Sequence, residues 1–432
     1  MHSLRQRLAS VVESFWFVPA VLLAVAAVLA EVLVGLDRDL VGRGVAGLPL
    51  VNNVGASGSR DLLAAIGGSM LGVAATSFSI TISVIATASS TYGPRLVRNF
   101  MADRGNQLVL GTFGATFLYA LLVLRSVREQ SSAGPEFVPH LAVTLAIGLA
   151  VLDVAVLIYF IHHIAESIQI ANLAARVLQD LQSSLRFDDH RDLAVPGNVV
   201  LDPTGESRAD LVLRAEDHGF LRHVDYRGLV ETTAELHGWA RLLIRVGDHV
   251  VAGDPLIEFR SVGELPQRVE QRLRRHLDFG RSRTPHQDQR YAVLQLAEMA
   301  VRALSSGTND PYTAINAILE IGTGLTMISE LGDPPGQLGR DGEVRLLVRP
   351  VGVAELVDLA FDQIRTYAVS STEVVLALLD LRMRIGRVSD DPAVQTALRD
   401  QESALVRQFH AAGPDDRDIA RVEAARSSAD RR

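Results

Sequence analysis

The side chains best suited to ion chemistry lie inside strongly apolar segments of this sequence. Asp153 stands near the middle of the apolar run 140–164. A carboxylate at mid-depth in a membrane costs several kcal/mol unless water, a hydrogen bond or a proton compensates it. Two interpretations of Asp153 are therefore open: a site for an ion or proton, and a structural carboxyl hydrogen-bonded to neighbouring hydroxyl groups.

Small and hydroxyl-bearing residues recur at steps of three and four along the apolar run 62–90. This spacing places them on one face of a helix. Such a stripe lets a second helix approach closely, and the small residues of the third apolar run suit that contact. Hydroxyls along a whole span also replace part of an ion's hydration shell. With Asp153, the pore-lining candidates are therefore Ser69, Thr76, Ser79, Ser83 and Thr87.

Three arginines, Arg95, Arg98 and Arg104, flank an amphipathic segment between the second and third apolar runs. Cationic side chains beside a span commonly contact anionic lipid headgroups. The same charges could form a vestibule that attracts anions. Both interpretations stay open for these residues.

A titratable cluster of His162, His163 and Glu166 follows the fourth apolar run. His162 and Glu166 share a helix face at a spacing that metal sites also use, but two ligands are too few for a site. We expect interfacial histidines beside a solvated glutamate, with pH sensing as the alternative.

A polar loop precedes the apolar helix pattern that begins near residue 311. Asp310 fits the N-cap position and Pro311 the first helical position, so helix capping accounts for both residues. The amides and hydroxyls of the loop could instead bind a small anion at the start of the helix. The ligand-binding candidates there are Ser305, Ser306, Thr308 and Asn309.

The composition excludes several classes of chemistry. The 432 residues contain no cysteine, and all 42 cationic side chains are arginine, so disulfides, thiolate metal sites, Schiff-base lysines and a Walker-A lysine are absent. The net charge of −8, without basic tracts, argues against nucleic acid as a partner. No nucleophile–base pair, metal cluster or nucleotide motif is visible. We therefore expect no enzyme, no catalytic residue, no cofactor and no bound metal.

Hydropathy predicts four membrane spans, at 15–35, 62–90, 108–124 and 140–164. An even number of spans places both termini on one side. Arginines near the span ends are almost balanced, so the long acidic region after the last span and the lack of an export signal decide the orientation. We expect a multi-pass protein of the bacterial inner membrane with both termini in the cytoplasm.

The pattern divides the chain into five parts. A four-span domain (1–165) precedes a helical stalk and connector (166–210), a small β-rich module (211–262), a mainly helical domain (263–412) and a charged, disordered tail (413–432). The turn glycines of segment 246–256 resemble those of a barrel-sandwich, lipoyl-like fold without its modifiable lysine. An apolar stripe continues from Ile164 to Leu185, and we expect a second subunit to cover it.

Two blocks of sequence carry a family resemblance. They comprise residues 78–81, 92–100 and 106–111 in the first part of the chain, and 278–281, 283–284, 287–288 and 302–311 in the second. Together they resemble the bacterial membrane proteins of domain of unknown function 2254. Ser306 and Thr308 depart from the proline and isoleucine expected there. The resemblance implies an integral membrane protein and supplies no catalytic residues.

The fold class expected is an α-helical membrane protein with four transmembrane helices and a mixed α+β cytoplasmic region. The leading functional hypothesis is an oligomeric ion channel or channel-like transporter whose cytoplasmic region serves assembly or gating. The alternative is a membrane-anchored sensor or scaffold whose cytoplasmic modules bind a partner or small ligand. The expected partners are the lipid bilayer, further copies of the chain, and an ion or ligand of unknown identity.

Overall fold

The computed structural model describes residues 16–42, 55–92, 103–128, 136–167, 170–187, 190–196, 209–261 and 268–430. The chain divides into two compact units, Met1–Gln169 and Ile170–Arg432.

The first unit contains four long apolar helices among its described residues: α1 (Phe17–Gly42), α2 (Ala56–Tyr92), α3 (Arg104–Ser126) and α4 (His140–Ser167). Each is long and apolar enough to cross a membrane, so the structure has four candidate membrane helices at the four apolar runs of the sequence. Large apolar side chains on the outside of α4 are more than 60% exposed, as a helix surrounded by lipid tails requires (Val151, Ile158 and Ile161).

Helix α3 lies at the centre of this unit and packs against α1, α2 and α4. Its inward face is fully buried and includes Val109, Phe113 and Tyr119. Gly111 permits the close approach of α1, since a Cβ atom there would lie 2.6 Å from Leu22 Cδ1. A small residue at a helix contact is the expected solution in a membrane, where packing rather than the hydrophobic effect drives association.

Polar contacts tie the helices together at the end where α4 begins. Both carboxylate oxygens of Asp37 on α1 accept hydrogen bonds, at 3.1 Å, from the backbone amides of Leu141 and Ala142. These amides have no partner within their own helix, so Asp37 caps α4 from a neighbouring helix. Tyr119 donates its hydroxyl proton to the Ala142 carbonyl at 2.9 Å.

The second unit begins with α5 (Ile170–Phe187), whose apolar face is covered within the chain. Ala174, Val177 and Leu181 are fully buried against two later helices of the same unit. Along its described residues, α5 therefore needs no second subunit to cover its apolar face, contrary to the expectation for this part of the stripe. The sequence shows that a face is apolar but not which part of the chain will cover it.

Two sheets form the β-rich part of the second unit. The strands are β1 (Leu211–Arg214), β2 (Gly219–Val224), β3 (Gly238–Leu242), β4 (His249–Val250), β5 (Pro255–Ser261), β6 (Leu277–Gly280), β7 (Gln337–Arg340) and β8 (Glu343–Leu347). Five form a sheet in the order β1-β5-β3-β8-β7, and three form a sheet in the order β4-β2-β6. Pairing is antiparallel except between β3 and β8. Strands from beyond residue 262 thus complete both sheets.

Short helices accompany the sheets: α6 (Tyr226–Glu235) and α7 (Val269–Arg274). The shared core holds Leu221, Leu256 and Phe259, all fully buried. Gly247 and Gly253 have φ values of +90° and +95°, which confirms that the glycines of segment 246–256 form tight turns.

The remaining helices pack around α8 (Gln289–Ala303) and α9 (Pro311–Leu331). They are α10 (Val353–Ala368), α11 (Thr372–Val388), α12 (Pro392–Ala411) and α13 (Asp416–Asp430). Helix α11 follows α10 after a turn at residues 369–371, with Ser371 at its N-cap position.

The expectation of a disordered tail after residue 413 is also wrong, since α13 is helical and packs on α11. Val422 is fully buried, and Arg421 donates to Glu373 at 2.7 Å. Arg426 donates to the buried Glu402 at 3.0 Å, and Arg382 pairs with the same carboxylate at 2.9 Å. A charged segment with little apolar content folds here because its charges meet partners on the helical domain.

Candidate functional site: a buried carboxyl in the helical bundle

Asp153 lies in the interior of the first unit, midway along α4. The residue is 1% exposed. Neither of its carboxylate oxygens has a hydrogen-bond partner of normal geometry among the described residues. The hydroxyl of Thr116 on α3 faces the carboxyl and is itself buried without such a partner. Asp153 therefore lies in the interior, as expected for a carboxyl in an apolar span.

Apolar clusters lie on both sides of the Asp153–Thr116 pair. One cluster, towards the start of α4, includes Tyr119, Ala142 and Ala146. The other, which we call the apolar plug, consists of Val109, Phe113, Phe160 and Ile164, with side chains of α2 packed against it. Asp153 and Thr116 therefore interrupt an interior that is apolar in both directions along the helices.

This arrangement dictates what the carboxyl can do. An ionised carboxylate in an apolar interior costs several kcal/mol unless a counter-charge accompanies it. The described residues place no charged side chain against Asp153. A cation or a proton must therefore accompany this group, which makes it a candidate binding site for either.

The predicted hydroxyl stripe of α2 lies on a different surface. Ser69, Thr76, Ser79, Ser83 and Thr87 are all exposed in the single chain. Thr76 and Thr87 donate their hydroxyl protons to backbone carbonyls four residues earlier, at 3.0 Å. The structure thus does not bring the stripe together with Asp153, and their roles as pore-lining residues stay predictions.

The hydroxyls of α2 that do face the interior are Ser77 and Thr81, each 2% exposed. Thr81 donates to the Ser77 carbonyl at 2.9 Å. These residues escaped the sequence interpretation because the longer stripe on the opposite face dominated the pattern. One signal in the sequence could have found them. Ser77 and Thr81 are four residues apart, on the helix face that also carries Val73, Ala74 and Val84, which pack against the apolar plug.

A second titratable pair lies where α3 begins and α4 ends. His163 Nε2 lies 3.0 Å from Asp103 Oδ1, and both side chains are largely buried. Asp103 also caps α3 by accepting from the Gly105 amide at 2.8 Å. His163 therefore pairs with a helix cap, whereas the side chain of Glu166 lies outside the described residues. Arg104 opens α3 beside this pair, and Arg95 and Arg98 lie outside the described residues.

The loop at residues 305–309 uses its own polar groups. The amides of Thr308 and Asn309 donate to the Ser305 carbonyl, at 3.0 and 2.9 Å. Asp310 caps α9 by accepting from the Thr313 amide, and Pro311 occupies the first turn, as predicted. These bonds support the capping interpretation over anion binding, because the amides that an anion would need are engaged.

The second unit contains a hydrogen-bonded chain that the sequence did not suggest. His276 Nδ1 lies 3.0 Å from Asp225 Oδ2, and His276 Nε2 lies 2.9 Å from Thr232 Oγ1. Arg275 Nε donates to the same Nε2 atom at 3.2 Å, so Nε2 is an acceptor and the ring proton resides on Nδ1. The His276 hydrogen bond, followed by the amide of Gly228, lowers the pKa of Asp225 to about 2 against the cost of its burial.

The side chains of Asp225, His276 and Thr232 follow the same order as the groups of a hydrolase triad. Their contacts, however, suit a structural role. Thr232 is 1% exposed inside α6, and Arg275 occupies the imidazole nitrogen that would act as a base. Asp225 caps α6 through the Gly228 amide at 2.9 Å. These hydrogen bonds therefore hold α6 against the segment before β6.

The block at 283–288 that carries part of the family resemblance is also structural. The side-chain oxygen of Gln287 accepts a hydrogen bond from the backbone N–H of Val224 at 2.9 Å. The side-chain nitrogen of Gln287 donates to the Val224 carbonyl at 3.2 Å. Arg283 binds the buried Asp288 with two hydrogen bonds, at 2.7 and 2.8 Å. Gly247 lies against Asp288 so closely that a Cβ atom would be 2.2 Å from its Oδ2. These side chains join the sheets to α8.

The described residues contain no group of His, Asp and Glu side chains arranged to hold a metal ion. They do contain an open groove of about 650 Å³ in the second unit. Arg241 and Arg349 line it together with apolar side chains such as Leu243.

The four apolar helices, with a carboxyl inside them, and the mixed helix and sheet region that follows are the features of an integral membrane protein with a second folded unit. The chain belongs to the family described as "Predicted membrane protein (DUF2254)", whose family model matches residues 12–383, which confirms the resemblance read from the motifs. Uncharacterized proteins of Mycobacterium bovis and Mycobacterium tuberculosis are 32% identical to it over 377 residues, 86% of this chain and 72% of each relative. No solved structure matches the chain significantly.

Proposed function

We propose that this protein is an ion channel or channel-like transporter whose ion site is Asp153. The observation that carries the proposal is a membrane-embedded carboxyl, 1% exposed, which faces the Thr116 hydroxyl and has no hydrogen bond of normal geometry among the described residues. Such groups are costly, and they mark ion and proton pathways more often than ordinary packing positions. A purely structural carboxyl would be expected to have satisfied hydrogen bonds.

The path follows the interior interface of α2, α3 and α4. Ser77, Thr81 and Thr116 supply its hydroxyl groups, and the apolar plug closes it in the described state. A hydrophobic constriction that opens by local rearrangement is a common gate.

The protein works as a homo-oligomer in this proposal. The hydroxyl stripe of α2, including Ser79 and Ser83, lacks cover in the single chain, and close helix contact with a second copy suits its small residues. Several copies arranged around the hydroxyl stripe would enclose water against it. The stripe would then line a second part of the ion path.

The second unit acts as a cytoplasmic assembly or gating region, and the protein resides in the bacterial inner membrane with both termini inside. The four candidate spans among the described residues place the segments before and after them on one side of the membrane, and the long region after the last span supports the cytoplasmic side in this proposal. The β-rich module resembles a barrel-sandwich fold in this proposal, has no lysine for a carrier role and serves as a structural element.

The alternative function is a membrane-anchored sensor or scaffold. The groove lined by Arg349 and by the Glu258-paired Arg241 favours it, because arginine beside apolar side chains suits a small anionic ligand. In that case the spans would only anchor the protein, and no ion would cross.

Ion flux separates the two functions. Full-length protein in liposomes should dissipate an imposed ion gradient, and Asp153→Asn should slow the flux about tenfold or more while the protein stays folded. Glu31→Gln is the matched control, because Glu31 lies in the same unit but is 62% exposed and paired with Arg125. Flux indistinguishable from empty liposomes would favour the sensor or scaffold.

A further inference from the structure

We infer that the ion bound at Asp153 is a proton rather than a metal cation. This inference rests on the proposed function and specifies its substrate. It follows from the number of oxygen atoms at the site, from the apolar plug beside it, and from a second titratable pair on the same two helices.

The site offers few ligands to a metal cation. Cations held by protein oxygens take about six of them in place of water. The described residues supply the two carboxylate oxygens of Asp153 and the hydroxyl of Thr116. The backbone carbonyls of α3 and α4 are engaged in helical hydrogen bonds, so they add no further ligands. A proton needs a single carboxylate oxygen.

The apolar plug also discriminates against hydrated cations. Val109, Phe113, Phe160 and Ile164 are each at most 8% exposed and pack together between Asp153 and the end of the bundle where α3 begins. A metal ion must shed its water to cross such a region, at a cost that a single carboxylate does not offset. A proton can cross along a short-lived chain of water molecules, without a cavity wide enough for a hydrated ion.

A histidine–aspartate pair lies at the end of the bundle where α3 begins, on the same side of Asp153 as the plug. His163 and Asp103 lie there in hydrogen-bond contact at 3.0 Å, on the same pair of helices, α4 and α3, that hold Asp153 and Thr116. Asn106, one turn into α3, is 1% exposed, and its Oδ1 atom has no hydrogen-bond partner among the described residues. Ten residues separate Asp153 from His163 on α4, which is about 15 Å along a helix. Histidine and carboxylate groups spaced along a membrane bundle are typical of proton relays.

The flux experiment uses full-length protein in liposomes that contain a pH indicator or a sodium or potassium indicator. A membrane potential drives each ion in turn. We expect proton uptake in the wild type, a loss of about tenfold or more in Asp153→Asn, and no change in Glu31→Gln. Sodium and potassium flux should stay at the level of empty liposomes.

The outcomes separate the inference from the function on which it rests. Sodium or potassium flux that depends on Asp153, without proton flux, overturns the proton assignment and leaves the ion channel or transporter standing. The absence of every flux overturns both.

Infrared spectroscopy tests the assignment without flux. A protonated buried carboxyl has a carbonyl stretching band distinct from that of an ionised carboxylate. We expect a band that titrates with pH in the wild type and in Glu31→Gln, and that is missing in Asp153→Asn. A wild-type spectrum without an Asp153-dependent protonated band at any pH at which the protein is folded would overturn the inference.

Discussion

Asp225 and His276 are joined by a 3.0 Å hydrogen bond that links the cap of α6 to the residue before β6. The contact explains the low pKa of about 2 for Asp225, because the imidazole N–H donor favours the ionised carboxylate. The hydrogen bonds of His276 Nε2 with Thr232 and Arg275 fix the tautomer of the imidazole. The Asp225–His276 contact belongs to the stability of the second unit rather than to catalysis.

The first prediction concerns the pH dependence of this contact. The folded-state pKa of Asp225 lies below the unfolded value of about 3.9, so its stabilisation is present above about pH 4 and is lost as the pH falls towards 2. Asp225→Asn should lower the free energy of unfolding by about 1 kcal/mol at neutral pH, and the difference should shrink as the pH falls from 4 to 2 and vanish below that. Denaturant unfolding followed by Trp239 fluorescence, in a Trp16→Phe background, measures it.

Asp341→Asn is the matched control for that series, since Asp341 carries an 87% exposed side chain. A constant difference between Asp225→Asn and the wild type from neutral pH down to pH 2 would contradict the assignment.

The second prediction concerns the joint between the sheets and α8. Gln287→Ala should lower the free energy of unfolding by about 1–3 kcal/mol, because it leaves the buried amide and carbonyl of Val224 without partners. Thermal or denaturant unfolding checks this, with Ser282→Ala, at an exposed position, as the control. Equal stability of the two variants would show that the Gln287 contacts do not fasten the sheets.

The third prediction concerns the apolar plug. Phe160→Leu removes part of a ring that is 2% exposed and loosens the contact with Phe113 and Val109. If the plug closes the proton path, proton leak into liposomes should rise several-fold. Ile158→Leu, on the exposed side of the same helix, should leave the leak unchanged. A rise in both variants would point to general damage to the bundle instead.

The fourth prediction concerns the hydroxyl stripe of α2. Cysteines placed at Thr76, Ser79 and Ser83 should react with water-soluble thiol reagents if copies of the chain surround a wet path, while cysteines at Ile80 and Ile82 stay protected. The native chain has no cysteine, so each signal belongs to the introduced thiol. Equal protection at all five positions would assign the stripe to lipid or to dry helix packing.

The membrane half of the fold was the easier half to predict from the sequence. Backbone hydrogen bonds must be satisfied inside the bilayer, so apolar length alone identifies α1 to α4. Asp153 stood out for the same reason, as a charge in an apolar run. That Thr116 faces Asp153 could not be predicted, because which helix faces α4 depends on tertiary packing.

The second unit shows where sequence patterns lose information. Asp310 and Pro311 predicted the start of α9 correctly, since capping is local chemistry. The cover of the α5 stripe and the ordering of α13 depend on contacts with residues far along the chain. The Asp225–His276 pair joins residues 51 positions apart, so no local spacing announces it.

The central claim is that Asp153 carries the transported proton, and one comparison tests it most directly. Proton uptake into liposomes should be high for the wild type, about tenfold or more lower for Asp153→Asn, and partly restored for Asp153→Glu, which keeps a titratable carboxyl at the site. The infrared carboxyl band should follow the same order. Equal proton uptake by folded wild type and Asp153→Asn would contradict the claim.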